Sequence, residues 1–363
     1  MKKILSLLII TLISIGLFSS CAMPKSKITE SENKLNIVTT IFPQYDFARQ
    51  VAGKHAEVNM LLKPGAESHS FEPTPQDIKK IQNADIFIYT GGENDTWVED
   101  ILSSMGDKKP ETIKLLDCVP TVTEEIVDGM EHEHDEKGED KHDHDSSHDE
   151  KDEDKHEHDS SHDKKDEDKH EHDSSHDEKD EDKHDHEEEI DEHVWTSPKN
   201  AILIVEKIEK VLSDKDKKNS KQYLDNSVAY INKLKTLDNK FKEIAKSGKR
   251  KTILFGDRFP FRYFADDYGL KYFAAFSGCS TESEASAATV AFLTNKVKEE
   301  QIPVVFTIEF SNGKIADSIC DATGAKKLTL HSCHNVSADE FASGVSYFSI
   351  MEQNLEPLKE ALN

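Results

Sequence analysis

Cysteine is scarce in this chain, with 5 among 363 residues, and apolar and aromatic side chains are thin at 35% and 7%. So few thiols make no disulfide framework, and stability has to come from buried apolar cores. A basic stripe is missing as well. The formal charge is −26, which excludes nucleic acid as a partner because nothing stands out to neutralise its phosphates. No His-Glu-x-x-His and no Gly-x-Ser-x-Gly sequence occurs, so a zinc hydrolase is a weak reading and no enzymatic activity is expected.

The shortage of apolar residues is local. Glu131 to Ile190 holds 30 Asp and Glu against 9 Lys, a net −21, which leaves −5 for everything else. Without that segment and the first twenty residues, about 280 residues remain, enough for two lobes with cores of their own.

The chain opens with Met1-Lys2-Lys3, an apolar stretch from Ile4 to Phe18, and Ser19-Ser20-Cys21. Residues 1–20 therefore read as a secretory signal peptide, too short for a membrane span. Small residues before a cysteine resemble a bacterial lipobox, although Phe18 stands where that pattern prefers Leu. Cys21 is then expected to be acylated and to begin the mature chain. Residues 21–34 would tether a soluble protein to the outer face of the cell membrane. Ordinary secretion is the alternative. Of the remaining Cys118, Cys279, Cys320 and Cys333, buried or free thiols are the default, with a Cys279–Cys333 bridge as the other option.

From Lys141 the text repeats every 14 residues: KHDHDSSHDEKDED, KHEHDSSHDKKDED, KHEHDSSHDEKDED and a partial KHDH. A repeat with almost no apolar residue buries no face, so the insert 131–190 is expected to be disordered. Thirteen of the 18 histidines lie in it: His132, His134, His142, His144, His148, His156, His158, His162, His170, His172, His176, His184 and His186. A solvated acidic spacer is the bland reading. Imidazole interleaved with carboxylate is nevertheless a ligand set for borderline divalent metals, and several weak, interchangeable zinc sites are the expectation.

Outside the insert, strand-like runs alternate with helical patterns, the signature of βαβ units and parallel sheets. The first lobe, 35–196, shows strands at Leu35–Thr39, Val58–Leu62, Ile86–Tyr89 and Ile113–Leu116. The last lobe, 248–363, shows them at Thr252–Phe255, Tyr272–Phe276, Val304–Ile308 and Lys327–Leu330, and ends in a helix from Phe341 to Leu362. Between them, 197–247 has helical periodicity with Pro198 in its first turn, read as a long connecting helix. The fold class is α/β: two lobes, each a mainly parallel sheet flanked by helices, with a metal cleft between them.

Ligands of such sheets bind beyond the carboxyl ends of the strands. The residues expected there are His69 after the second strand, His193 before the connecting helix, Gly256-Asp257-Arg258 after the fifth strand, and His331-Ser-Cys-His334 after the last. A lone loop histidine is idle more often than not. Three with a carboxylate complete a tetrahedral zinc site. His55 is read as structural.

The segments Pro64-Gly-Ala-Glu-Ser-His69-Ser-Phe-Glu-Pro73, Asp191-Glu-His193-Val-Trp195-Thr-Ser-Pro198, Phe261-Arg-Tyr-Phe-Ala265 with Tyr268-Gly-Leu270, and Thr323-Gly-Ala-Lys326 resemble those of the metal-binding subunits of bacterial zinc and manganese ABC transporters. That group of lipoproteins includes zinc-uptake binding proteins and so-called adhesins. The resemblance covers nearly the whole mature chain, and it implies two α/β lobes joined by a rigid long helix. A His-rich loop ahead of the second ligand resembles the zinc branch. By position, His69 and His193 match the family's two first-lobe ligands. The third is commonly a His just ahead of the Phe-x-Tyr-Phe motif. Here Arg258 holds that place and cannot ligate a cation, so Asp257 is put forward, with Glu284 as substitute. His331 falls where the family often has Asp, with His334 as its alternative. Trp195 and Phe71 would pack around the site.

The function so implied is capture of Zn2+ outside the cytoplasm by a monomer that delivers it to an ABC permease and its ATPase. Mn2+ transport, or adhesion through the acidic loop, are the alternatives. Imidazoles must shed protons before ligating, so affinity is expected to fall below about pH 6.

Overall fold

A computed structural model of the chain describes residues 34–130, 189–282 and 284–363. The signal segment, Cys21 and the thirteen histidines of the insert lie outside them. The chain divides into two compact units. The first takes its described residues up to Val119, Pro198–Leu237 and Cys333–Ile350. The second takes the described parts of Pro120–Ser197, Asp238–Ser332 and Met351–Asn363. The units are thus not colinear with the 35–196 and 248–363 division read from sequence. The segment that carries His193 belongs with the second unit, and the segment that carries His334 returns to the first.

In the first unit the strands are β1 (Leu35–Thr39), β2 (Ala56–Met60), β3 (Ile86–Tyr89) and β4 (Glu111–Lys114), with helices α1 (Phe42–Ala52), α2 (Pro75–Gln82) and α3 (Thr96–Ser104) between them. They pair in parallel in the order β2-β1-β3-β4. All four residues of β3, Ile-Phe-Ile-Tyr, are buried, as expected of a parallel strand covered on both faces. Val38, Leu61, Ile81, Phe87, Tyr89 and Val98 form one core of this unit.

The second unit repeats the scheme with β5 (Thr252–Arg258), β6 (Lys271–Phe276), β7 (Val304–Thr307) and β8 (Lys326–Thr329), in the order β6-β5-β7-β8 and all parallel. Its core is centred on Leu254, Phe276, Leu293, Val305 and Ile319. The outer strand β8 carries Lys326 and Lys327 on its exposed edge, charges that discourage edge pairing.

Two expectations are corrected. The segment after Ser197 is not one helix but two, Pro198–Lys215 and Ser220–Ser247. Asp216 causes the break: its carboxylate accepts bonds from the Asn219 side chain at 2.7 Å and the Tyr223 hydroxyl at 2.8 Å, which stabilise the turn. The longer helix runs from residues of the first unit into those of the second. The terminal helix 341–362 is three helices, Ala338–Ser343, Tyr347–Gln353 and Leu355–Leu362. Gly344, at φ 76°, ends the first in the left-handed conformation that glycine adopts without strain. Among the described residues no helix is long and apolar enough to cross a membrane.

Candidate metal centre

Both sheets change strand order between their first and third strands, where a crevice opens at the carboxyl ends. In each unit a buried polar side chain bridges that crevice. Gln44 accepts from the Thr40 backbone N–H at 2.9 Å and donates to Thr90 Oγ1 at 2.9 Å. Asp257 plays the matching part in the second unit, accepting from the N–H groups of Arg258 at 2.9 Å and Ile308 at 3.3 Å. Burial pushes its carboxyl pKa up despite these bonds. The oxygens of Asp257 are thus engaged with backbone across the end of the sheet.

His69 lies in the loop that joins β2 to α2. Thr74 closes that loop as an N-cap, accepting from Asp77 N–H at 3.3 Å while Asp77 reaches back to Thr74 N–H at 3.1 Å, a reciprocal arrangement that satisfies two helix-end donors. The Glu67 carboxylate accepts from Ser68 N–H at 3.1 Å and His69 N–H at 3.4 Å. The loop is stitched to the segment after Cys333. Buried Asn335 donates to the Lys63 and Ala66 carbonyls at 2.7 and 2.9 Å, and Gly65 N–H donates to the Val336 carbonyl at 2.8 Å. These bonds bring the rings of His69 and His334 together, 5.0 Å apart and inclined at 66°. Phe71 packs edge-on against Trp97 at 5.9 Å, in the apolar layer beneath.

His193 is held differently. It is fully buried, and Asp191 Oδ1 accepts its backbone N–H at 2.8 Å and lies 3.0 Å from ring Nδ1. With Nδ1–H on the carboxylate, Nε2 keeps its lone pair for a metal. Burial opposes a charge on this ring, but Asp191, Glu192 and Glu124 outweigh it and hold the imidazole pKa above its ordinary value. Trp195 flanks the ring at 5.7 Å, anchored by its indole N–H on the Ser332 carbonyl at 2.9 Å. Gly278 backs it: a Cβ there would meet His193 Cε1 at 2.8 Å, so only glycine fits.

One ring nitrogen from each of His69, His193 and His334 falls within 4.8 Å of the others, the group of three His, Cys, Asp or Glu found among the described residues. Of the two histidines after β8, it is the alternative, His334, that joins. Cys333 turns the backbone at φ 66°, and His331, two residues before it, sits instead with Nδ1 3.5 Å from Glu309. The His331 backbone is pinned both ways by Asn354. Glu284 is exposed. Cys118, Cys279 and Cys320 are free, which leaves the Cys279–Cys333 option without support. Asp191, Asn335 and Gly278 escaped the sequence reading. Asp191 alone carried a signal, a carboxylate two residues before a candidate ligand.

The family model described as ZnuA, zinc-uptake complex component A periplasmic, matches residues 37–361. The zinc-binding lipoprotein AdcA of Streptococcus pneumoniae is 34% identical over 360 residues, 99% of this chain and 61% of that protein. The chain thus spans about three fifths of the length of these curated relatives. The high-affinity zinc uptake system protein ZnuA of Bacillus subtilis is 32% identical over 91% of this chain and 88% of its own. The Zn(II)-bound ZnuA-like domain of S. pneumoniae AdcA superposes with a TM-score of 0.65 at 30% identity, covering 91% of this chain and 99% of that one. A match that runs through both sheets and all three imidazoles makes this chain a member of the ZnuA family.

Proposed function

We propose that this protein is the extracytoplasmic zinc-capturing subunit of an ABC importer, with His69, His193 and His334 as its ligands. The observation that carries the reading is the convergence of three imidazole nitrogens within 4.8 Å in a chain of this family. Three nitrogen donors suit zinc and disfavour Mn2+, which prefers oxygen. Asp257, Glu284 and His331 are left out of the set.

The arrangement is one for binding rather than catalysis. A catalytic zinc needs an acid or base poised over an open position, whereas Asp191, the carboxylate beside the triad, is committed to the backbone and Nδ1 of a ligand. Acylation at Cys21 would hold the mature chain at the membrane face, where a permease and its ATPase take over the ion. The insert 131–190 would add weak sites that gather zinc.

Titration calorimetry with Zn2+ and Mn2+ on the chain without residues 1–21, alongside a version that also lacks 131–189, tests the reading. One tight zinc event is expected to survive the deletion and to vanish in His69→Ala. Loss of all tight binding with the insert would place the metal in the repeats instead.

A further inference from the structure

The insert leaves and re-enters the second unit through a short antiparallel clamp. Thr123 pairs with Ile190, Glu124 N–H donates to the Glu189 carbonyl at 2.7 Å, and Asp191 N–H donates to the Val122 carbonyl at 3.0 Å. The outgoing strand of this clamp is fixed on several sides. Val122 N–H donates to the Tyr263 hydroxyl at 3.3 Å, and Glu125 accepts from the Tyr272 hydroxyl at 3.0 Å with Arg262 3.4 Å away. Glu124, between them, turns the other way. Its carboxylate accepts the Cys279 backbone N–H at 3.0 Å. Cys279 follows Gly278, whose missing side chain lets the backbone lie against the His193 ring. The far side of the same turn is held by Arg258, which donates to the Ser280 carbonyl at 3.2 Å.

We propose that Glu124 is a positioning residue for zinc capture: it fixes the Gly278–Cys279 turn, and the turn fixes the His193 ring. The anchor of the insert and the placement of a ligand are then one structure. This rests on His193 being a ligand, and the experiment separates the two. Glu124→Ala, Glu124→Gln and His193→Ala are prepared in the chain without residues 1–21, insert intact. Each is titrated with Zn2+ against a chromophoric chelator and with Co2+, whose visible spectrum reports coordination geometry.

Removing an outer partner of a ligand weakens binding about 10- to 100-fold. Glu124→Ala is expected in that range, with an altered cobalt spectrum. Glu124→Gln keeps an acceptor oxygen for the Cys279 N–H and restores most of the affinity. Wild-type affinity and spectrum in Glu124→Ala would overturn the proposal, and so would a Glu124→Gln as weak as the alanine variant. Should Glu124→Ala not fold, Gly278→Ala presses on the ring from the same turn and must reproduce the weakened zinc binding and altered spectrum; unchanged values overturn the proposal. Tight zinc binding in His193→Ala would break the ligand reading itself. Its loss there, with retention in Glu124→Ala, breaks only the positioning role.

Discussion

Two of the three imidazoles are held through the backbone and one through its ring. His69 and His334 are half-buried residues on loops that Asn335 and Gly65 sew together. His193 is fully buried, with a carboxylate at Nδ1, an indole on one side and a glycine backbone on another. The pair is brought near by its loops, whereas the single ring is oriented before any ion arrives. A binding site gains affinity when ordering is complete beforehand, so in the proposed ligand set the buried ring would act as the anchor and the pair would complete it.

Alanine substitutions should break this comparison most visibly. Both His69→Ala and His193→Ala should lower zinc affinity by more than the roughly 100-fold that loss of an outer partner can cost. They should part in the metal-free chain. His193→Ala leaves Asp191 buried without its ring partner, a loss of about 1–3 kcal/mol, while His69→Ala should change stability by less than about 0.5 kcal/mol. Urea melts with and without zinc test both. Equal destabilisation by the two would remove the distinction. Asp191→Asn comes next. It offers Nδ1 either an acceptor or a donor and so no longer fixes the tautomer, and zinc affinity should fall about 10- to 100-fold.

Much of this architecture was legible beforehand, because local chemistry decides it. Leu35–Thr39 and Ile86–Tyr89 were readable to the residue as apolar runs bounded by turns. The helix at Lys314–Thr323 likewise stops on a local signal. Its end is Gly324 at φ 78°, the residue type that stops helices. What stayed hidden depends on distant contacts. Periodicity runs straight through Asp216 and Gly344, so the broken helices looked continuous. Two histidines follow β8, and which of them stands beside His69 turns on the Cys333 backbone and on Asn335, whose partners Lys63 and Ala66 lie some 270 residues away. Asp257 shows the same dependence on distant contacts: the Ile308 N–H, from just beyond β7, donates to its carboxylate.

Asn335→Ala sharpens the comparison from the side of the pair. It strips two carbonyls of their donor in a buried place, worth about 1–3 kcal/mol. It should also loosen the approach of His334 to His69 while the Asp191–His193 contact stays intact. A lower urea midpoint should accompany a zinc affinity reduced by less than in Asp191→Asn. A larger loss than in Asp191→Asn would make the stitched pair, not the buried ring, the anchor.

The smallest effect expected is the response of the metal-free chain to pH, and its sign is diagnostic. The folded chain holds the His193 pKa above its ordinary value because the effect of Asp191, Glu192 and Glu124 exceeds that of burial. Folding therefore favours the protonated ring. The stabilisation is complete below the unfolded pKa, near 6.5, and it is lost as pH rises through the higher folded value. Between the two the folded chain binds more protons than the unfolded one, so stability declines with pH, by at most about 1.4 kcal/mol per pH unit from this group. Zinc reverses the slope, because Nε2 must be bare to ligate, and its affinity should climb over the same window. Urea midpoints of His193→Ala and the parent chain from pH 5 to 8 isolate the contribution. A gap between them that narrows with rising pH in the apo protein, and widens with zinc, is expected. A gap independent of pH would mean that Asp191 orients the ring without holding a proton on it.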